Sequence, residues 1–364
     1  MPALRSFALA LVTLVVAGCS PIASSPTPTV IPSPSATPAA ATVSPSPTAS
    51  APARVQLSNA PVPATAGKLL LFQLPDETGL RAITWDASVN GTLPGAVRPN
   101  AVWVQSPDGA PYLLENFVFG RDGNPVGPVG WPSKVTATWS AGGRSLCAAV
   151  PEREVTGSAM NLERLTLGQP ARVVATGFAT FSDNAVYRVL MCDEGADRAI
   201  VASFGQGIAP AKLWVFRLST GAVIRSVDYA GTLGWVAASA DGTMLVETLR
   251  FDTASGRWSA TIRSADDGTK MGAVDGFVGQ GFSGDNTLLV GASESSAAVV
   301  DWKTGRAVWS ASGPYGGFLA EPAGRRLAIG IGFVGGSDQR DVYIVSADGS
   351  ASLLPARVRV ALRY

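Results

Sequence analysis

No histidine and only three cysteines occur among the 364 residues, which narrows the available chemistry at once. Without imidazole the chain lacks the usual general base, the usual partner of a nucleophilic serine and the commonest metal ligand. Carboxylates remain, and two of them suffice to hydrolyse a glycosidic bond. Glu247, Asp275 and Asp301 fall on or beside expected strands, yet no spacing in the chain brings any two of them together. Asp193, Glu194 and Asp197 offer the acidic oxygens that calcium takes. They lack the periodicity of a calcium loop and read as a solvated turn. The sequence therefore assigns no catalytic residue, no metal ligand and no cofactor.

Cys19 is the thiol with the clearest chemistry. It ends Val16-Ala17-Gly18-Cys19, after a short apolar run from Phe7 to Val16 behind Arg5. Charge, apolar core and small residues in that order mark an export signal. A membrane span takes about 20 apolar residues, and here Ser20-Pro21 follow at once. The motif resembles the lipobox of bacterial lipoproteins. That resemblance implies cleavage before Cys19, removal of residues 1–18 as a signal peptide, and acylation of the thiol and the new N-terminus. It implies an extracytoplasmic protein anchored by lipid to the cell membrane or an outer membrane, stably so because two chains or more hold where one does not. In such an oxidising compartment Cys147 and Cys192 are expected to form a disulfide. The alternative is two buried free thiols.

Residues 19–65 are a different material. Eleven of the 26 prolines fall there among Ser, Thr and Ala, with no charge between Arg5 and Arg54. Such chain cannot bury a core and favours extended polyproline conformations. It is expected to act as a disordered tether.

Residues 66–364 must position whatever function exists, and they read as short strands. Lys68–Phe72, Ala101–Val104, Lys212–Leu218 and Asp341–Val345 are rich in β-branched, aliphatic and aromatic residues. One corner recurs at Gln105–Gly109, Trp139–Gly143, Phe181–Asn184, Ala238–Gly242, Phe282–Asn286 and Glu321–Gly324. Asp-Gly and Asp-Asn accept the positive φ that a tight hairpin needs. Thr-Gly or Asp-Gly turns alternate with it at Gly221, Gly268, Gly305 and Gly349. A repeat of roughly forty residues holding four strands marks a β-propeller blade. Ala211–Gly221 and Val299–Trp309 resemble repeats of bacterial WD-like and quinoprotein-like propellers, and the Ser-x-Asp-Gly corners resemble Tol-system repeats. Asp241-Gly242-Thr243 is similar to part of the sialidase Asp-box, but lacks its closing aromatic and reads as a hairpin. Six corners define six blades. The strands before them, joined by the tail Arg357–Tyr364, predict a seventh, so the fold expected is an all-β propeller of seven four-stranded blades closed by the C-terminal strand. Eight blades is the alternative.

Alternating loops of a propeller emerge on opposite faces. The longer connections, Pro151–Ser158, Gly205–Pro210, Phe251–Gly256 and Gly332–Arg340, share one of them. Loops on a rigid scaffold carry function more often than the scaffold does. This selects Glu152, Arg153, Arg250, Asp252, Asp338 and Arg340 as candidate binding residues. The net charge of +1 gives no electrostatic footprint for nucleic acid. The expectation is a monomeric, membrane-tethered binding or scaffold module for a protein, peptide or glycan. Alternatives are a carboxylate-type propeller hydrolase, or an envelope assembly factor like the propeller lipoprotein of outer-membrane protein insertion.

Overall fold

The computed structural model describes residues 41–42, 52–75, 77–98, 101–132, 135–205, 210–229, 232–249, 258–293, 296–332 and 339–361. Cys19, Arg250, Asp252 and Asp338 lie outside them, as do the signal segment and most of the tether.

The described residues hold thirty strands and no helix. They form seven sheets, each built on a four-stranded antiparallel meander from an inner to an outer strand. Two short strands, β1 (Ala41–Thr42) and β2 (Ala53–Arg54), precede the first blade. Blade 1 takes β3 (Leu69–Gln73), β4 (Arg81–Thr84) and β5 (Asn90–Thr92). Blade 2 is β6 (Trp103–Gln105), β7 (Tyr112–Leu114), β8 (Phe117–Phe119) and β9 (Pro125–Pro128). Blade 3 is β10 (Ala137–Trp139), β11 (Ser145–Pro151), β12 (Ala159–Thr166) and β13 (Arg172–Thr180). Blade 4 is β14 (Val186–Asp193), β15 (Arg198–Phe204), β16 (Pro210–Arg217) and β17 (Val223–Asp228). Blade 5 is β18 (Leu233–Ala238), β19 (Met244–Leu249), β20 (Ser259–Ser264) and β21 (Lys270–Asp275). Blade 6 is β22 (Val278–Phe282), β23 (Leu288–Ser293), β24 (Ser296–Asp301) and β25 (Ala307–Ser312). Blade 7 is β26 (Tyr315–Ala320), β27 (Leu327–Ile331), β28 (Asp341–Val345) and β29 (Ala351–Leu353). The last strand, β30 (Arg359–Val360), returns to blade 1 as its innermost member. The molecule is a closed seven-bladed propeller.

Side-chain alternation explains why the middle strands read as unbroken apolar runs. Successive residues of a strand point to opposite faces, and in a ring both faces of a blade meet a neighbour. Leu69 and Leu71 pack into the interface with blade 2, beside Trp103 and Tyr112. Leu70 and Phe72 pack the other way, against Ala328, Val342 and Ile344 of blade 7. All four are fully buried. The hydrophobic residues divide into seven clusters, one for each interface of the ring. Each fully buried aliphatic or aromatic side chain contributes about 1.5–3 kcal/mol relative to exposure. The outer strands are covered on the inner side alone, so Val173 on β13 and Val223 and Ile224 on β17 stay exposed.

Five of the six recurrent corners join the first and second strands of a blade. In blade 5 the Ser239 hydroxyl donates to Asp241 Oδ1 (2.7 Å), the Thr243 amide donates to the same oxygen (3.0 Å), and Met244 N–H donates to Ser239 Oγ (2.9 Å). Ser283, Asp285, Thr287 and Leu288 repeat the arrangement in blade 6. Phe181–Asn184 differs from its expected role: it links β13 to β14, between blades 3 and 4. The corner of blade 4 is Glu194–Asp197, where Asp197 itself adopts φ +52°. The Thr-Gly and Asp-Gly turns at Gly221, Gly268, Gly305 and Gly349 all join third to fourth strands, as expected. Gly221 is required twice over. Its φ is +71°, and a Cβ there would lie 2.0 Å from the Val174 carbonyl oxygen of blade 3.

The seam between blades 7 and 1 is held at both ends. Inside, Phe72 pairs with Val360 and Gln73 with Arg359. Outside, the segment 53–62 straps the rim, although it falls within the stretch expected to be tether. Ala53 and Arg54 run parallel to Ser352 and Leu353 of blade 7. Val55 is buried, and the Thr92 amide of blade 1 donates to Ala60 O (3.0 Å). Arg81 fixes the strap by donating to Ser58 O (3.0 Å) and Asn59 Oδ1 (2.9 Å) while Glu77 holds its other edge (2.7 Å). Further back, Ala41–Thr42 lies parallel to β21 of blade 5.

Cys147 and Cys192 are joined by a disulfide with Cα atoms 6.3 Å apart. Cys147 sits on the second strand of blade 3 and Cys192 on the first strand of blade 4. The alternation that puts Leu146 and Ala148 toward blade 2 turns Cys147 toward blade 4. The bond therefore pins two neighbouring blades.

Candidate functional site

The innermost strands of all seven blades surround an axial cavity of about 450 Å³. Trp103 of β6, Trp235 of β18 and Phe318 of β26 give it aromatic surface. Val104, Ala137, Val189, Val236 and Val360 add aliphatic surface, and Thr136, Thr138 and Gln280 are its neutral polar groups. Among the described residues its charged members are Arg188 of β14 and Arg359 of β30, and none of its described lining residues is a carboxylate.

The polar groups of the wall serve mainly to bind blade to blade. Thr138 donates its hydroxyl to Val189 O (2.6 Å), and Trp235 Nε1 donates to Gln280 O (3.4 Å). From the same strand as Thr138, Trp139 Nε1 reaches Val104 O (2.8 Å). Arg359 is buried at 8% exposure. Its guanidinium donates to Gln73 Oε1 and Ala101 O, both at 3.3 Å, and lies 5.7 Å from the Trp103 ring centroid. Arg188 is half-buried and stacks 5.3 Å from the Phe204 ring centroid.

Glu247, Asp275 and Asp301 are not among the described residues that line the cavity. Glu247 is buried between blades 4 and 5, where the Tyr229 hydroxyl donates to Oε1 (2.9 Å) and Arg263 Nε to Oε2 (2.8 Å). Burial, reinforced by the Glu247 charge, pushes the Tyr229 phenol well above its ordinary range. Asp275 accepts from Ser259 Oγ (3.1 Å), and Asp301 caps its own turn through the amides of Lys303 (3.0 Å) and Thr304 (3.2 Å). The acidic corner of blade 4 is likewise occupied. Glu194 accepts from Ser145 Oγ (2.6 Å) and faces Arg164 (3.6 Å), while Asp197 accepts from the Ser219 amide (2.6 Å) and hydroxyl (2.7 Å). Among the described residues no cluster of acidic groups or cysteines could hold a metal ion.

Glu152 and Arg153 are exposed on the loop between the second and third strands of blade 3. Arg340 is different. It is 2% exposed, exchanges backbone hydrogen bonds with Val358 (both 2.9 Å), and its side chain lies against Gly316, so it belongs to the packed seam. The structure does not bring it together with Glu152 and Arg153. The sequence reading missed Glu77 and Arg81 on the same face of blade 1, around the connection from its second to its third strand. There Gln73 donates to Glu77 O (3.0 Å) and Arg81 pairs with Glu77. It also missed Arg188 and Arg359. A signal existed for Arg188, the one charge in the run Val186–Cys192, whereas Arg359 is one of several arginines in the tail.

No family model matches the chain, and no curated protein matches it. Among solved structures it is similar to a prolyl endopeptidase, with a TM-score of 0.56 and 12% identity, over 81% of this chain and 49% of that one. The chain thus spans about half the length of that protein. It is also similar to a eukaryotic initiation factor (TM-score 0.48, 12% identity, 86% and 94% covered). A third is a putative 6-phosphogluconolactonase from Bacteroides fragilis (TM-score 0.49, 13% identity, 82% and 97% covered). At such identity the first likeness shows the fold alone, and the fold it shows is the β-propeller described above.

Proposed function

We propose that the protein is an extracytoplasmic β-propeller of WD-like or quinoprotein-like repeats, tethered by lipid at Cys19, that binds a protein, peptide or glycan on its long-loop face. The observation that carries the reading is the composition of the axial cavity. A glycoside hydrolase of the two-carboxylate kind would need them about 5–10 Å apart, and the described cavity wall has none. A rigid ring with tight corners on one face and longer loops on the other suits display of a binding surface. The export signal and lipobox-like motif support the location, and the proline-rich segment supports a spacer role.

Photo-crosslinking on intact cells tests the binding face. A photoreactive amino acid placed at Glu152 or Arg153 is expected to capture the same partner, and one at Thr304, on the opposite face, to capture none. Equal capture from both faces, or none from Glu152 and Arg153, contradicts the proposal.

A further inference from the structure

The corners of the ring are joined to one another, and the series stops at one seam. The Ala240 amide of blade 5 donates to Asn286 Oδ1 of blade 6 (3.2 Å), and the Asp285 amide of blade 6 donates to Gly324 O of blade 7 (3.0 Å). Blade 1 has no corner to continue the series, because its inner strand β30 follows blade 7 in the chain while its second strand β3 precedes blade 2. Pro322 stands in blade 7 where Ala240 stands in blade 5, and proline has no N–H to donate. At this seam lies a cleft of about 540 Å³ on the tight-corner face, between the segment 63–68, the turn 84–89 of blade 1 and the corner of blade 7.

Trp85 registers the missing corner. It follows the third strand of blade 1 as Trp302 follows that of blade 6. Trp302 Nε1 donates to Asn286 O (2.9 Å), in the corner of its own blade. Trp85 lines the cleft and is 3% exposed, yet its indole N–H has no acceptor among the described residues, a state it shares with Trp103 at the axial cavity. Buried donors without a partner are uncommon because they forfeit the hydrogen bond that water would give.

The charges around the cleft cancel, Asp86 and Glu321 against Lys68 and Arg326. Each is fixed from within: Lys68 Nζ donates to Pro322 O (2.6 Å), Arg326 faces Glu321 (3.4 Å), and Asp86 takes three hydrogen bonds from Thr84 and Ser88. All three fall on Asp86 Oδ1, which leaves Oδ2 to accept from outside, and the Lys68 ammonium has donors besides the one given to Pro322. Fixed donors and acceptors without net charge suit a neutral ligand that both donates and accepts. A hydroxyl does both, and neighbouring hydroxyls of a sugar meet an ammonium and a carboxylate in turn. Pro63, Ala66 and Val89 offer aliphatic surface to the ring, and the volume lies in the range of small-molecule sites.

From this geometry we propose that the cleft at the seam of blades 7 and 1 binds a short neutral saccharide. Its hydroxyls donate to Asp86 Oδ2 and accept from Lys68, and one of its oxygens supplies the acceptor that the Trp85 N–H lacks. The site lies on the opposite face from Glu152 and Arg153 and does not depend on partner capture there.

Nitrogen–proton correlation spectra of the tryptophan side chains, recorded on the full chain during titration with maltose, cellobiose, lactose and N,N′-diacetylchitobiose, test it. The Trp85 signal is identified by its absence from the Trp85→Phe spectrum. At least one of these sugars is expected to shift it, with millimolar affinity or better. Lys68→Met, at an exposed position, is expected to weaken that sugar about tenfold, the loss of one charge-assisted hydrogen bond. Added salt is expected to leave the affinity of the unaltered chain as it is, since the ligand carries no charge. A Trp85 signal that none of the sugars shifts overturns the proposal. So does a sugar whose affinity survives Lys68→Met, or equal affinity for N-acetylglycinamide, which would mark a peptide site. Should Trp85→Phe fail to fold, calorimetry of the same sugars with the unaltered chain and with Lys68→Met decides by the same difference.

Discussion

Asp86 shows how much of this fold depends on aspartates that serve turns rather than chemistry. It ends the third strand of blade 1 and accepts from the Thr84 hydroxyl (2.6 Å), the Ser88 hydroxyl (2.7 Å) and the Ser88 amide (3.1 Å). These bonds, Thr84 foremost, lower its pKa to about 2. Asp267 reaches about 2 in the same way, chiefly through the Thr269 amide. A carboxylate whose folded pKa lies below its unfolded value, about 3.9, stabilises the fold fully above that value. The contribution is lost as pH falls through the folded pKa. Urea unfolding between pH 5 and pH 2 should therefore show stability declining below about pH 4. Asp86→Asn should narrow the difference between the two ends of that range, and an unchanged difference would contradict the assignment. The same turn chemistry made the corners legible in the sequence, because Ser-x-Asp-Gly names both the acceptor and the positive φ. It also set the limit of that reading. Blade 4 makes its corner with Glu194–Asp197, which lacks the pattern, while Phe181–Asn184 carries the pattern and serves as a link.

At the scale of strands and sheets, the legible feature was the apolar run. Leu69–Phe72 and Leu288–Val290 have no polar alternation because both faces of each blade are buried. That property distinguishes a ring of sheets from a sheet with one wet face. The disulfide was expected from compartment and count, and it forms. It works because the two cysteines occupy different strand positions, second in blade 3 and first in blade 4, so their side chains meet across the interface. It closes a loop of 45 residues, for which the chain-entropy model gives about 4 kcal/mol. Replacing both cysteines by alanine should lower the unfolding free energy by about 2–4 kcal/mol. Reducing the unaltered protein should do the same, and denaturant titration with and without reductant measures it. Loss below about 0.5 kcal/mol would mean that packing of Val189, Trp214 and Phe216 already fixes the two blades. The strap at 53–62 was not legible, since two residues of β-pairing and one buried Val55 leave little trace in a Pro-, Ser- and Ala-rich segment.

For the whole molecule, closure decides everything else. The first blade has no inner strand of its own. Only when β30 returns does blade 1 acquire four strands, the cavity gain Arg359, and the seven interfaces become continuous. Closure removes the open edges that would otherwise unzip or pair with other chains. The C-terminal alternation of apolar and basic residues foretold that return, which β30 makes with Arg359 and Val360. The cavity was less legible, because the wall is assembled from seven strands spread over 260 residues, from Ala101 to Ala361. Amide hydrogen exchange followed by mass spectrometry tests the closed ring most directly. The account predicts that segments 69–73 and 357–361 are protected together, to the level of the inner strands of the other blades. Rapid exchange of 357–361 as free chain would contradict it.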